Sequence, residues 1–243
     1  MAADSEDIFG CALRKLERLA HLDETDRQAF HALHAKIETH HANTVLAKNG
    51  VRAAECILLI EGMGCRHKET RDGARQTISF HLAGDFLDLQ QMWLPRADHV
   101  VQTLSPAMIA RIAAQDLRAL AAERPRIGEA LWRDTLIDGA IAREWVVNVG
   151  RRDAMARIAH LLCEYAARRE AAGFGPRDRF DLPMTQEQIG DTTGLTSVHV
   201  NRKLHELEAL DVIARDRRTL HIRDWPRLMR IGDFDATYLH AAA

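Results

Sequence analysis

Apolar positions repeat with two different periods along this chain, and the change of period divides it. Over residues 8–20, and again from a cap near Asp23 to about His34, apolar residues fall three and four apart. That spacing predicts two amphipathic helices. Between Ile37 and Ile112 the pattern shortens to β-type runs at 56–62, 63–70, 75–82, 99–104 and 107–112, broken by Arg71-Asp72-Gly73 and Ala83-Gly84-Asp85. Closely spaced short strands with such turns predict an antiparallel barrel or jelly roll. Helical spacing then returns in a short helix over 114–124 and a long one over 125–149. The long helix carries Ile127, Leu131, Leu136, Ile137, Ile141, Trp145 and Val149 along one stripe. Gly150 is expected to break it. Met155, Ile158, Ala159, Leu162 and Tyr165 mark a further helix, ended by the glycines and proline of 172–176.

The stretch 182–210, LPMTQEQIGDTTGLTSVHVNRKLHELEAL, predicts two helices joined by a tight turn. Thr185 with Gln188 three residues on forms a capping box. Thr192-Thr193-Gly194 supplies the turn, and Thr196 caps the second helix. In that helix Val200, Leu204 and Leu207 make one apolar stripe, which places Val198, Asn201, Arg202 and His205 on the opposite side. Such a face suits the major groove, with short and long donors, an apolar methyl carrier and no carboxylate. Periodicity alone also allows a solvated helical hairpin with an idle polar face. Beyond it, 210–213 and 219–222 are β-rich around the charged Arg215-Asp216-Arg217-Arg218, which predicts a hairpin wing.

Composition narrows the class. The 243 residues are 47% hydrophobic and 28% charged, with six prolines, as expected of a chain that buries a core and lacks long disordered linkers. The start, MAADSEDIFGCALRKL, has no basic segment ahead of its apolar residues and is not expected to be a signal peptide. No apolar run approaches membrane-spanning length, so no membrane partner is expected and a cytoplasmic location is the default. The four cysteines, Cys11, Cys56, Cys65 and Cys163, are scattered and do not make a disulfide framework. Net charge is −2, yet residues 195–230 carry eight Lys/Arg against five Asp/Glu. That local excess falls on the second helix and the wing, where phosphate contacts would be made.

The strings RIAHLLCEYA, LPMTQEQIGDTTGLTSVHVNRKLHELEALDVI and LHIRDWPRL closely resemble the DNA-binding domain of the Crp/Fnr family of bacterial regulators. The likeness is strong over residues 150–235 and weaker before them. It implies an α+β architecture: an N-terminal double-stranded β-roll like that of cyclic-nucleotide-binding domains, a long dimerisation helix and a C-terminal winged helix-turn-helix. The implied division is 1–124 for the roll with its flanking helices, 125–150 for the dimerisation helix and a hinge at Gly150, and 151–243 for the DNA-binding domain. Double-stranded DNA and a second copy of the chain are the implied partners, with RNA polymerase a further candidate. Ser197, Val198, Asn201 and Arg202 take the base-reading positions; many relatives have Arg and Glu where Ser197 and Val198 stand, so the half-site should differ from theirs. Thr185, Gln186, Thr196, Arg217 and Arg218 are phosphate-contact candidates, and Leu131, Ile137, Ile141 and Trp145 are expected in the dimer interface.

The effector is not legible. Family members that bind cyclic nucleotides carry a Gly-Glu pair and, about ten residues later, an Arg-Ser or Arg-Thr phosphate clamp. Here those positions fall near Leu87-Asp88 and Ala97-Asp98-His99, with Arg96 as the one candidate substitute. An anionic phosphate needs a guanidinium partner, so cyclic AMP is not expected. The close cysteine spacing of an iron–sulfur sensor is missing too. Haem stays open as a cofactor, because a single axial ligand has no spacing signature. His31 and His34, one helical turn apart with His40 and His41 beyond, lack a clear third ligand, so no metal site is expected.

Catalysis is not expected either. His205-Glu206 begins an H-E-x-x-H string, but Ala209 stands at its fifth position. No nucleophile elbow, P-loop or dinucleotide fingerprint occurs. The competing class is a small-ligand-binding β-roll protein whose winged helix makes protein–protein contacts.

Overall fold

The computed structural model describes residues 7–52 and 54–240. Residues 1–6, where the signal-peptide expectation falls, and 241–243 lie outside them. The chain divides into two compact units, one of Met1–Lys68 with Phe80–Asp138 and the other of Glu69–Ser79 with Gly139–Ala243. It therefore passes from one unit to the other at three points in its sequence.

The first unit opens with α1 (Gly10–Leu19) and α2 (Glu24–His31). Asp23 and Asp26 form a capping box that starts α2, and the helix stops three residues short of His34 because Ala35 already begins the first strand. That strand, β1 (Ala35–His40), lies in a three-stranded sheet of order β1-β7-β3, with β3 (Glu55–Glu61) and β7 (Ala107–Ala113). The second sheet has the order β2-β6-β4-β5, from β2 (Val45–Ala47), β4 (Met63–Glu69), β5 (Arg75–Leu82) and β6 (Val100–Thr103). Pairing is antiparallel across β7, with Ile37 and Leu58 both opposite Ala110. Apolar side chains of the three-stranded sheet, α1, α2, α3 (Ala114–Glu123) and the start of α4 (Pro125–Arg151) share one core, including Phe9, Leu16, Phe30, Leu58, Ile112, Leu117 and Ile127. Leu46, Ile57, Leu59, Val101 and Ile109 form a second cluster between the two sheets. The predicted β-roll with flanking helices is therefore present. Gly84 is required where it stands: its φ is +92°, and a Cβ there would lie 2.8 Å from the Cys11 carbonyl oxygen.

Helix α4 does not end at Gly150 but runs on through Arg151. One helical glycine costs only about 1 kcal/mol, which a 27-residue helix absorbs. The break falls instead at Arg152–Asp153, where the Asp153 carboxylate accepts from the amides of Met155 and Ala156 and so starts α5 (Ala154–Ala171).

The second unit continues with β8 (Arg179–Asp181), α6 (Gln186–Thr193), α7 (Ser197–Ala209), β9 (Ile213–Asp216), β10 (Thr219–Ile222) and α8 (Trp225–Gly232). Its sheet has the order β8-β10-β9. The strand β8, α8 and the 3-10 turn Ala236–Leu239 are elements that sequence periodicity leaves unmarked. In the same unit the Gln76 amide donates to the Thr192 carbonyl at 3.1 Å. No helix of the described residues is long and apolar enough to cross a membrane.

Candidate nucleic-acid interface

The predicted capping box starts α6: the Thr185 amide donates to Gln188 Oε1 at 2.8 Å, and the Gln188 amide to Thr185 Oγ1 at 3.2 Å. Ile189 is buried, and the hydroxyls of Thr192 and Thr193 donate back to the carbonyls of Gln188 and Ile189. Two glycines make the turn possible. Gly194 takes the left-handed conformation at φ +69°, which suits a residue without Cβ. Gly190 lets the chain fold back on itself: a Cβ there would meet the Leu195 carbonyl oxygen at 2.4 Å.

Thr196 caps α7 by accepting from the His199 amide. Val200, Leu204 and Leu207 are buried, as the 3.6-residue period requires. The other face is open, with Val198 76% exposed. Ser197, Val198, Asn201, Arg202 and His205 line an open concavity of about 340 Å³, joined by Gln186 from α6. The four base-reading candidates and one phosphate candidate are thus brought together. The remaining phosphate candidates stand elsewhere: Thr185 and Thr196 at the starts of α6 and α7, Arg217 and Arg218 on the wing. His205 shares the concavity although the family pattern does not mark it; helical periodicity alone points to it.

The electrostatics of this face are more balanced than the sequence suggests. Glu206, one turn beyond Arg202, lies 3.7 Å from its guanidinium and 2.7 Å from the Lys203 ammonium. Glu208 binds Arg215 at 2.7 Å and His205 at 3.1 Å, and the Arg215 hydrogen bonds hold the Glu208 carboxyl below its ordinary range. The wing is tighter than expected. Arg215 and Asp216 belong to β9, and Asp216 pairs with Thr219 across a two-residue loop of Arg217 and Arg218. Arg217 adopts φ +55°, the left-handed geometry that lets a two-residue loop follow the strand twist. Both arginines are exposed.

The four dimer-interface candidates are largely covered within a single chain. Leu131, Ile141 and Trp145 are 3%, 7% and 6% exposed within a single chain, and Ile137 is only partly exposed. A stripe packed into its own chain has little apolar surface left to bury elsewhere. The apolar residues that α4 leaves open are Trp132, Leu136, Val146 and Val147. Trp132 is 63% exposed. The physical reason is that α4 is apolar on two sides, and a 3.6-residue period cannot say which side faces inward.

Within the first unit, Arg96 donates to the Gly50 carbonyl at 2.9 Å, and Asp98 pairs with His99 at 2.7 Å. Asp88 is buried; its Oδ1 accepts from the Ile57 amide, and burial pushes its carboxyl up to about 6. A buried cation and a half-buried one escaped sequence reading. The Arg66 guanidinium binds the carbonyls of Leu87 and Phe86 and the Asp138 carboxylate. Lys15 bridges Asp85 at 2.7 Å and Asp134 at 2.6 Å. These charges satisfy one another within the unit. Burial pushes the Cys56 thiol up to about 12 and the Cys163 thiol well above its usual range, so neither is a ready thiolate.

A family model described as the Crp-like helix-turn-helix domain matches residues 156–231. The transcriptional activator protein FnrL of Cereibacter sphaeroides is 30% identical over 184 residues, 73% of each chain. The nitrogen fixation regulation protein FixK of Bradyrhizobium diazoefficiens is 27% identical over 204 residues, 84% of each chain. Among solved structures, FixK2 from Bradyrhizobium japonicum superposes with a TM-score of 0.76 at 24% identity, covering 84% of this chain and all of that one. These relatives are transcription regulators, not enzymes. Together with the α6–α7 geometry they place the chain: it belongs to the Crp/Fnr family of transcription regulators and carries that family's helix-turn-helix DNA-binding domain.

Proposed function

We propose that this regulator binds an inverted-repeat operator as a homodimer, under control of a signal received by the β-roll. The observation that carries the reading is the open face of α7, where Ser197, Val198, Asn201 and Arg202 line one concavity with Gln186. In this reading the four α7 residues read base edges. A guanidinium can take two acceptors of guanine, and the Val198 methyls suit the thymine methyl. Thr185, Gln186, Thr196, Arg217 and Arg218 hold phosphates and fix register.

The functional division runs from the roll and flanking helices, through residue 124, to a connecting helix from 125 to 150 and a DNA-binding domain from 151 onward. The bend lies at Arg152–Asp153. The open α4 residues Trp132, Leu136, Val146 and Val147 meet their copies in the dimer, and two recognition helices then address half-sites about 34 Å apart. RNA polymerase is the further partner, and the cytoplasm the compartment.

Selection of duplexes from a random pool with the purified protein tests the reading. An inverted repeat should be recovered, bound by two chains, with an affinity that falls steeply with salt. A pool that yields no consensus, with retention independent of salt, would refute it.

A further inference from the structure

The C-terminal stretch after α8 meets two other elements of its unit at one buried carboxylate. Glu164 of α5 is fully buried. Its Oε2 accepts from the Trp145 indole on α4 at 2.9 Å and from the Tyr238 hydroxyl at 2.7 Å; its Oε1 takes the Arg168 guanidinium at 3.2 Å. Beside it His160 stacks on the Tyr238 ring, with centroids 5.9 Å apart, and meets Phe234 and Trp145 edge-on. The Tyr238 hydroxyl lies 3.0 Å from His160 Nε2, and the other ring nitrogen lies 3.2 Å from the Gly232 carbonyl. Seating is close, since a Cβ on Gly232 would come within 2.7 Å of the His160 amide nitrogen.

A second tie sits at the helix break itself. Arg152, between α4 and α5, reaches Glu144 of α4 at 2.6 Å through Nη2. The same nitrogen donates to the carbonyl of Asp233 at 2.9 Å and its carboxylate at 3.1 Å. Its Nε and Nη1 are buried without partners. Leaving buried donors unmet is costly, so a guanidinium held by one nitrogen is a poor stabiliser of the fold. It does connect α4, the break and the C-terminal stretch.

We propose that residues 233–239 form a strap that sets the angle between the last turns of α4 and α5, with Tyr238 and Asp233 as positioning residues for DNA binding. A helix break without such ties is free to bend. Since α7 packs its apolar stripe in the same unit as α5, the angle at Arg152–Asp153 sets where the α7 face points relative to the last turns of α4. Specific binding demands that pose, whereas loose association with phosphates does not. The inference rests on α7 being the DNA-reading helix.

Spin labels on cysteines introduced at Arg143 of α4 and His199 of α7, in a Cys11→Ser background, report the angle. Labelled chains diluted with unlabelled ones keep the distances intrachain. The parent should give one narrow distance distribution. Tyr238→Phe keeps the ring and loses the hydroxyl. Combined with Asp233→Gly, which tolerates the left-handed backbone at this position (φ +44°), it should broaden the distribution. The same double variant should lose at least tenfold in affinity for a duplex selected by the parent, while a scrambled duplex stays within twofold.

A distribution of unchanged width overturns the strap. So does an equal loss on both duplexes with helix content intact. Should the double variant lose helix content by circular dichroism, Tyr238→Phe alone decides by the same two criteria. A parent that does not distinguish selected from scrambled DNA defeats the DNA-reading assignment instead, and the distance measurement still tests the strap.

Discussion

Replacing Arg202 by alanine separates base reading from mere attraction to DNA. Its guanidinium stands on the open face of α7, 3.7 Å from Glu206, with the side chain 61% exposed. An ion pair that exposed is worth about 0–1 kcal/mol, so its loss should leave the fold nearly as stable. A bidentate contact to guanine is worth about 1–3 kcal/mol of discrimination. Giving up Glu206 to make it offsets up to about 1 kcal/mol of that. For a mid-range contact of about 2 kcal/mol, the net loss is about 1–2 kcal/mol per half-site, or roughly 30- to 700-fold over two half-sites at about 1.4 kcal/mol per decade. Fluorescence anisotropy should compare the selected duplex with one whose contacted G·C pairs are replaced. Parent protein should lose affinity on the replaced duplex. The Arg202→Ala variant should bind both alike, and its slope of log K against log salt should match the parent's. An equal loss on every duplex, with the slope reduced by about 0.9 per contact, would make Arg202 a phosphate ligand and refute base reading.

Four further outcomes are expected. Trp132→Glu should convert the proposed dimer to monomer in sedimentation with little change in unfolding midpoint. Trp145→Ala should leave association intact and lower stability by about 3–5 kcal/mol, because its indole is buried in its own chain; the reverse result would return Trp145 to the dimer interface. Gly190→Ala should destabilise the helix-turn-helix and weaken all DNA binding, since its Cβ would lie 2.4 Å from a carbonyl oxygen; an unchanged denaturation curve would contradict that contact. His81 is held neutral by burial, its pKa pulled down to about 4. A histidine depressed in the folded state contributes its full stability above its unfolded value near 6.5 and loses it as pH falls toward 4. His81→Asn should therefore flatten the acid limb of stability between about pH 6.5 and 4, by up to about 3 kcal/mol. Parallel parent and variant curves across that window would show that His81 titrates normally.

The recognition unit is legible because its determinants are local. A capping box, a left-handed glycine and an apolar stripe act within a few residues of one another, and each reads directly from residue type and spacing. The β-roll is legible as strands and turns for the same reason. What escapes depends on contacts far apart in the chain. Lys15 meets Asp85 and Asp134, and Arg66 meets Asp138; nothing in the local sequence marks these as pairs. Trp145 shows the limit most clearly. It sits on an apolar stripe, but which of two apolar sides of α4 turns inward is set by α5 and the C-terminal stretch. Glu206 escapes because it matters through its neighbour Arg202, not through its own place on the face.

The hairpin tip at Glu69–Ser79 has a consequence for how the protein is made and taken apart. Because those residues belong with Gly139–Ala243, the unit that carries α7 is assembled from two separated stretches of chain. No single cut releases it whole, and a fragment starting at Gly139 leaves the Thr192 carbonyl without its Gln76 donor. On the ribosome, the tip emerges long before the helices it joins and must wait for them. Pairings of such long sequence separation form slowly. The unit that reads DNA is therefore completed late, after the stretches of the other unit that flank Glu69–Ser79 in sequence have been synthesised in full.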